Sequence, residues 1–414
     1  MPSARHMAAV ACAAMAVICA AASTVPAAGD RSDLHTALAD LRAGRFQDAE
    51  QAALALATRE TSPLPRAWLV VATARQRQRR FDDALEAFRQ YLSCCDSTHL
   101  RQYVLEQMDA CRTDAQPPAA TASPSSRLSP AELRNLSGID WVTYTETTAH
   151  FTVRSRNAAL SKLVAAEAED ALTRICRDLL GGQEYPHSVS IYVWPNRDEY
   201  LANSPGNAPE WSDGSFTISY SGDLPTRRID LTQLDAQRRF AAVMIDRILP
   251  HEMCHLVVKE YFGDSPCPLA VNEGLAMLAE SHIDNERIIL AGKALSSKAK
   301  IPLETLLAAE LSDMPSKEVF YAECFSFMEY VHSRLTVRQF KAFLDHVKSG
   351  CEVAEAIQRA LAVPGEESLL PALAAAWEEQ AVADGQILEA LSVEQASTSG
   401  PLDAGPATLQ AKSR

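Results

Sequence analysis

The stretch LPHEMCHLVV, residues 249–258, decides how the rest of the chain is read. His251 and His255 stand four apart, so on a helix they leave the same face one turn from each other, with Glu252 beside the first. That spacing lets two imidazoles reach one tetrahedral metal ion. Apolar residues flank the pattern: Phe240, Val243, Met244, Ile248 and Leu249 before it, Leu256 and Val257 after it. The flanks predict a central, buried helix. Two buried imidazoles without a partner would be costly, and a shared ion accounts for both.

A catalytic zinc site takes three protein ligands and keeps a fourth position open. The candidate for the third ligand is Glu273, 18 residues after His255, in NEGLAMLAE (272–280). Apolar spacing predicts a helix over 272–281, and the short, turn-rich YFGDSPCPLAV (261–271) lets it return alongside the first. Against this stands the plainer role of a first-turn acid favoured by the helix dipole. Taken together the residues predict metal-assisted hydrolysis, with Glu252 as the general base that takes a proton from the attacking water.

HEMCH followed by NEGLA resembles the gluzincin branch of zinc metallopeptidases. LPHEMCHLVV, VNEGLAMLAE (271–280) and FYAECFSFMEYV (320–331) together are similar to bacterial MA-like peptidase domains, which are often joined to tetratricopeptide repeats. In order of elements the similarity runs from about residue 140 to 385. It implies one zinc ion per chain held by His251, His255 and Glu273, Glu252 as the base, and a peptide or protein substrate. It also places Tyr321 near the site, the first candidate for a donor to the developing oxyanion, with His332 second; the plainer role for an aromatic on a helix is core packing. One departure is visible. Thermolysin-like enzymes carry an aspartate four positions after the glutamate ligand, where it orients a histidine, and Met277 stands here. Glu280 is a substitute on nearly the same helix face, although an acid there reads first as an exposed one. Cys254 reads as buried packing, and Pro250 either begins the helix or kinks it.

Working outward, the preceding segment is rich in strands. WVTYTETTAHFTVRS (141–155) predicts a hairpin, 158–180 an amphipathic helix ending at Gly181-Gly182, and SVSIYVW (188–194) a buried strand. GSFTISYS (214–221) and RRIDLT (227–232) supply two more strands, and either is a candidate edge along which an extended substrate could pair. After Asp235 the sequence reads helical to Gln386. Further upstream, AGRFQDAEQAALALA (43–57) and RRFDDALEAFRQYL (79–92) repeat with Phe46 and Phe81 35 residues apart, close to the tetratricopeptide period. The fold class expected is α+β: an all-helical repeat module, then a zincin-like domain with a small mixed sheet and a helical C-terminal half. The expected boundaries are a signal peptide at 1–28, repeats at 31–112, a Pro/Ala/Ser/Thr linker at 113–130, the peptidase domain at 131–390 and a solvated tail at 391–414.

The formal net charge of -14 argues against a nucleic-acid partner. Arg5 and His6 precede an apolar run from Met7 to Ala22 and small residues near Ala27, the pattern of a secretory signal, with an uncleaved membrane anchor as the alternative. The expected location is therefore secreted, periplasmic or cell envelope. In an oxidising compartment Cys94, Cys95 and Cys111 are close enough in sequence to form a disulfide. Function is thus expected to be that of an exported zinc-dependent peptidase. The alternative is a zinc-holding but weakly active or inactive peptidase-like scaffold that binds envelope protein partners through its helical repeats.

Overall fold

The structure is a computed structural model, and it describes residues 28–59, 63–94, 98–112, 128–204, 212–221, 224–281, 284–310, 314, 316–361 and 370–392. The N-terminal apolar run, most of the linker, Cys95 and nearly all of the tail lie outside these residues. Among the described residues, 28–94, 107–112 and 385–392 form one compact unit, and 98–106 with 128–384 form another. No helix of the described residues is long and apolar enough to cross a membrane.

The first unit begins with helices α1 (Ala28–Arg42), α2 (Phe46–Ala57), α3 (Ala67–Arg77) and α4 (Phe81–Cys94), packed in sequence on small buried residues such as Ala49, Ala53, Ala72 and Ala84. The internal repeat is visible in the backbone. Gly44 and Arg79, 35 residues apart, both take positive φ (73° and 59°). Equivalent turn bonds accompany them: Arg45 N–H donates to Asp40 O, and Arg80 N–H donates to Arg75 O, both at 2.9 Å. A left-handed residue ends one helix, and a phenylalanine opens the next. Helix α5 (Thr98–Arg112) follows.

The second unit starts at α6 (Pro130–Leu136), which a Ser129/Glu132 capping box sets at the end of the stretch read as linker. Strands β1 (Tyr144–Thr147) and β2 (Phe151–Ser155) form the expected hairpin, α7 (Ala158–Asp178) crosses over to β3 (Val189–Trp194), and α8 (Arg197–Asn203) leads towards β4 (Gly214–Ser221) and β5 (Leu224–Thr232). The sheet order is β1-β2-β3-β5-β4, parallel across β2-β3-β5 and antiparallel at both ends. Burial alternates along β2 and β3, with Phe151, Val153, Val189, Ile191 and Val193 on the covered face.

Two expectations change here. RRIDLT lies in β5, which is hydrogen-bonded on both sides, so it is no edge; of the two candidates β4 alone has a side without a strand partner among the described residues. Helix does not begin at Asp235 either. The Asp235 carboxylate accepts backbone N–H bonds from Gln237 and Arg239, both at 2.9 Å, and closes a turn in which Arg238 has φ 60°. A π-helical turn follows at Met244–Ile248 and feeds directly into α9 (Leu249–Phe262), with Pro250 in its first turn. Pro250 therefore sits where the π-helical turn gives way to α9, and the Asp246 carbonyl four residues before it, which it cannot bond, accepts the Ser281 N–H at 2.8 Å instead.

Helix α9 packs against β4 and β5, and α7 packs against β1 and β2 on the same layer. The rest is helical: α10 (Leu269–Ala279), α11 (Asn285–Leu295), α12 (Leu303–Ala308), α13 (Lys317–Arg334), α14 (Val337–Lys348), α15 (Val353–Ala360) and α16 (Leu370–Ser392). Helix α10 packs on α9 and on α13. It starts three residues earlier than its apolar spacing suggested, after Pro268, which puts Glu273 in its second turn, beyond a simple first-turn role. The fold class is α+β, a helical N-terminal region followed by a domain with a small mixed sheet.

Candidate metal centre

Helix α9 carries His251, Glu252 and His255, and α10 brings Glu273 back beside them. The Nε2 atoms of His251 and His255 are 3.1 Å apart, and the Glu273 Oε2 lies 3.7 Å from the first and 3.6 Å from the second. For comparison, metal bonds of about 2.05 Å in a tetrahedron separate neighbouring ligand atoms by roughly 3.3 Å. The three donors therefore already sit at ligand spacing.

Their outer nitrogens explain why. His251 Nδ1 lies 3.1 Å from Glu280 Oε1, and His255 Nδ1 lies 3.2 Å from Asn272 Oδ1. A carboxylate and an amide oxygen only accept, so each Nδ1 carries the proton and each Nε2 presents its lone pair inwards. Two lone pairs and a carboxylate oxygen then converge on one point, an arrangement that repels itself unless a cation fills it. The residues fit a zinc ion.

Glu280 corrects the expectation of an exposed acid. Its side chain is 4% exposed. Helix α10 ends at Ala279, and Glu280 adopts extended backbone (ψ 139°), so its carboxylate leaves the helix face and turns to His251. Arg247 Nε donates to its Oε2 at 3.1 Å; Arg287 donates to both oxygens, at 3.2 and 3.3 Å. Arg247 also reaches Asp284 at 3.2 Å. Burial raises the Glu280 pKa, but His251 and the two guanidiniums outweigh it and hold the group below the usual carboxylate range.

The remaining charges follow from burial. Burial and the neighbouring His251 press the His255 pKa down to about 3, so this ring is neutral. On His251 burial is overcome by Glu280, Glu252 and Glu273, which leave its pKa raised. Glu252 is pushed up to about 7, chiefly by burial and then by Glu273, against the charge of His251 and an N–H bond from Phe216. Glu273 is raised for the same first reason.

Strand β4 supplies the opposite wall. Phe216 stacks on His255 at 5.7 Å between ring centroids, and Gly214 is in close contact with the helix: a Cβ there would lie 2.3 Å from Ile248 Cγ2 and 3.2 Å from Glu252 Cγ. The cleft has a volume of ≈ 720 Å³, and the phenol of Tyr321 lines it with Glu252 and Glu273. Burial and the charges of Glu273 and Glu252 push the Tyr321 pKa up to about 12, so its hydroxyl keeps a proton to donate. His332 does not line this cleft; it packs edge-on against Phe340 near the end of α13, with ring centroids 4.8 Å apart. Cys254 is fully buried, as expected. Sequence reasoning quoted Asn272 without assigning it a role and passed over Arg247. Arg247 stands four before His251, a spacing that signals a shared helix face.

Residues 167–370 match the sequence profile of the Peptidase MA superfamily. The matched stretch takes in β3 to β5, both metal-site helices and α13, and it supports a zincin-like peptidase domain. Comparisons with curated proteins and with solved structures gave no match.

Proposed function

We propose that the chain is a zinc-dependent peptidase of the gluzincin type, with His251, His255 and Glu273 as the ligands. The observation that carries this reading is the convergence of three donor atoms, each imidazole turned inwards by an acceptor on its outer nitrogen. A zinc ion held there supplies a Lewis acid that polarises the substrate carbonyl and makes water acidic enough to give up a proton near neutral pH. Glu252 faces the cleft one residue from a ligand, takes that proton and delivers it to the leaving amine. Tyr321 donates its hydroxyl hydrogen to the oxygen that gains charge. The free side of β4 pairs with the substrate backbone, which fixes the scissile bond against Glu252 and leaves side-chain choice to the cleft walls.

The N-terminal helices act as tetratricopeptide-like repeats that dock a protein partner or present substrate, supported by the 35-residue recurrence of the same turn. The apolar N-terminal run directs export to the cell envelope or beyond.

The test is the zinc content of the purified protein beside His251→Ala and Glu273→Ala, then peptide hydrolysis by Glu252→Gln and Tyr321→Phe. One zinc per chain is expected, lost in the first two variants. Hydrolysis should fall ~10²–10⁴-fold in Glu252→Gln and ~10²-fold in Tyr321→Phe, with zinc retained in both. A folded wild type that takes up no zinc overturns the reading. Zinc uptake without hydrolysis would leave the inactive scaffold.

A further inference from the structure

The charges that line the candidate cleft can be matched one by one, and two are left over. Arg247 and Arg287 are answered by Glu280 and Asp284. Asp213 is paired with Arg197. Glu273 and Glu252 lie against the two imidazoles, where a divalent cation would answer both. What remains is Glu286 and Glu318, neither of which forms an ion pair among the described residues. The other lining residues carry no charge, so with zinc in place the cleft keeps these two negative charges unanswered.

Both acids stand in the first turn of a helix, Glu286 on α11 and Glu318 on α13, where the helix dipole favours a carboxylate wherever it points. Their direction adds a second role. On α13, Glu318, Tyr321 and Ala322 are spaced three and four apart and line the cleft from one face; on α11, Glu286 and Leu290, four apart, do the same. Tyr321 lies close enough to Glu273 and Glu252 to feel both charges. Glu318 stands one turn nearer the start of α13, about 4.5 Å along the axis. Its own backbone N–H and the Ser316 hydroxyl, at 2.9 Å, hold its pKa below the ordinary glutamate value, so it is ionised at neutral pH. Leu290 and Ala322, one turn from each acid, and Met277 give this wall an apolar surface. An apolar wall ending in carboxylates suits a side chain that carries an aliphatic stem and a cationic tip.

We propose that Glu286 and Glu318 determine specificity, and that the substrate carries an arginine or lysine close to the scissile bond. The stem lies on Leu290, and the cationic tip reaches the two carboxylates. An acidic side chain at the same position is repelled. The proposal rests on the peptidase reading above and names the substrate class of that same cleft.

The zinc-loaded full chain is given a proteome-derived peptide mixture, and both sides of each cut are read by mass spectrometry. Two exposed ion pairs of ordinary strength predict ~5-fold enrichment of arginine and lysine at one position near the cut, with aspartate and glutamate depleted there. That enrichment should fall below ~2-fold in the double variant Glu286→Gln/Glu318→Gln, and in the wild type as salt is raised. Glu286→Lys/Glu318→Lys should reverse the preference towards aspartate and glutamate. Zinc content should stay at the wild-type value in both variants, which separates loss of selection from loss of the metal centre. Enrichment unchanged in both variants, or absent from the wild type, overturns the selection alone. No cutting by the zinc-loaded wild type overturns the peptidase reading and the selection with it.

Discussion

Replacing Glu280 by glutamine tests the metal centre without touching a ligand. The carboxylate receives four donors: His251 Nδ1 at 3.1 Å and Arg287 at 3.3 Å on Oε1, Arg247 at 3.1 Å and Arg287 at 3.2 Å on Oε2. A glutamine has one oxygen and one N–H₂ for the same four partners. With the oxygen towards His251, the amide hydrogens oppose both guanidiniums; with the amide reversed, His251 loses its acceptor and its orientation. Either way the imidazole is held less well, and loss of such an outer partner typically weakens metal binding ~10–100-fold, about 1.4–2.7 kcal/mol. The metal-free protein is weakened too. Removing one partner of a buried ion pair costs about 3–5 kcal/mol. The lower end applies, because Arg247 keeps Asp284 and is itself 32% exposed. At ~2–4 °C per kcal/mol for a domain of this size, the Tm of the metal-free variant should fall by ~6–12 °C. Zinc affinity is read by competition with a chromogenic chelator and Tm by calorimetry on metal-free protein. A zinc Kd within twofold of wild type would refute the claim that Glu280 orients His251, whatever happened to Tm.

Two further outcomes follow from packing and burial. Gly274→Ala would normally favour a helix, yet a Cβ there lies 2.2 Å from Met328 Cγ and 2.8 Å from the Cys324 backbone oxygen on α13. Overpacking of ~1–3 kcal/mol should outweigh a propensity gain of at most ~1 kcal/mol; a raised Tm would show that α10 and α13 are not held in close contact beside Glu273. Glu323 is fully buried, and burial followed by the charge of Glu378 raises its pKa to about 8, against the Ile301 N–H and Lys300. A raised folded pKa means stability present below the ordinary glutamate range and lost as pH rises through 8, by up to ~1.4 kcal/mol per pH unit. Glu323→Gln should flatten that fall in Tm between pH 5 and 8.5; equal slopes in both proteins would rule the group out.

Much of the site was legible because periodicity and motif spacing coincide on one helix. His251, Glu252 and His255 needed only a helical α9, and its apolar flanks guaranteed that. Glu273 needed a return helix, which the turn-rich 261–271 allowed. The errors came where a residue's surroundings are set by distant chain. Glu280 was placed on a helix face by counting seven from Glu273, but the helix ends one residue earlier, and its burial comes from Arg247 in the π-helical turn and Arg287 on α11. RRIDLT and GSFTISYS have similar strand content, and only the pairing order, with β5 between β3 and β4, shows which has a free edge. The late start of helix after Asp235 turned on one carboxylate capping two backbone N–H groups.

The charges also show which acid the centre leaves for a cation. Three largely buried carboxylates surround the two histidines, and composition alone does not rank them. Glu280 already faces two guanidiniums and the raised His251, so its negative charge is answered inside the protein and its pKa is low. Among the described residues Glu273 has only the two imidazoles close to its carboxylate, at 3.7 and 3.6 Å, one of them neutral, and its pKa stays raised. Glu252 has no ion pair among the described residues and accepts one backbone N–H. A divalent cation placed at the meeting point of the Nε2 atoms would therefore lower the free energy of Glu273 most directly and Glu252 next, while Glu280 would gain least. That order matches the division of labour proposed above: Glu273 as ligand, Glu252 as base, Glu280 as the group that aims His251.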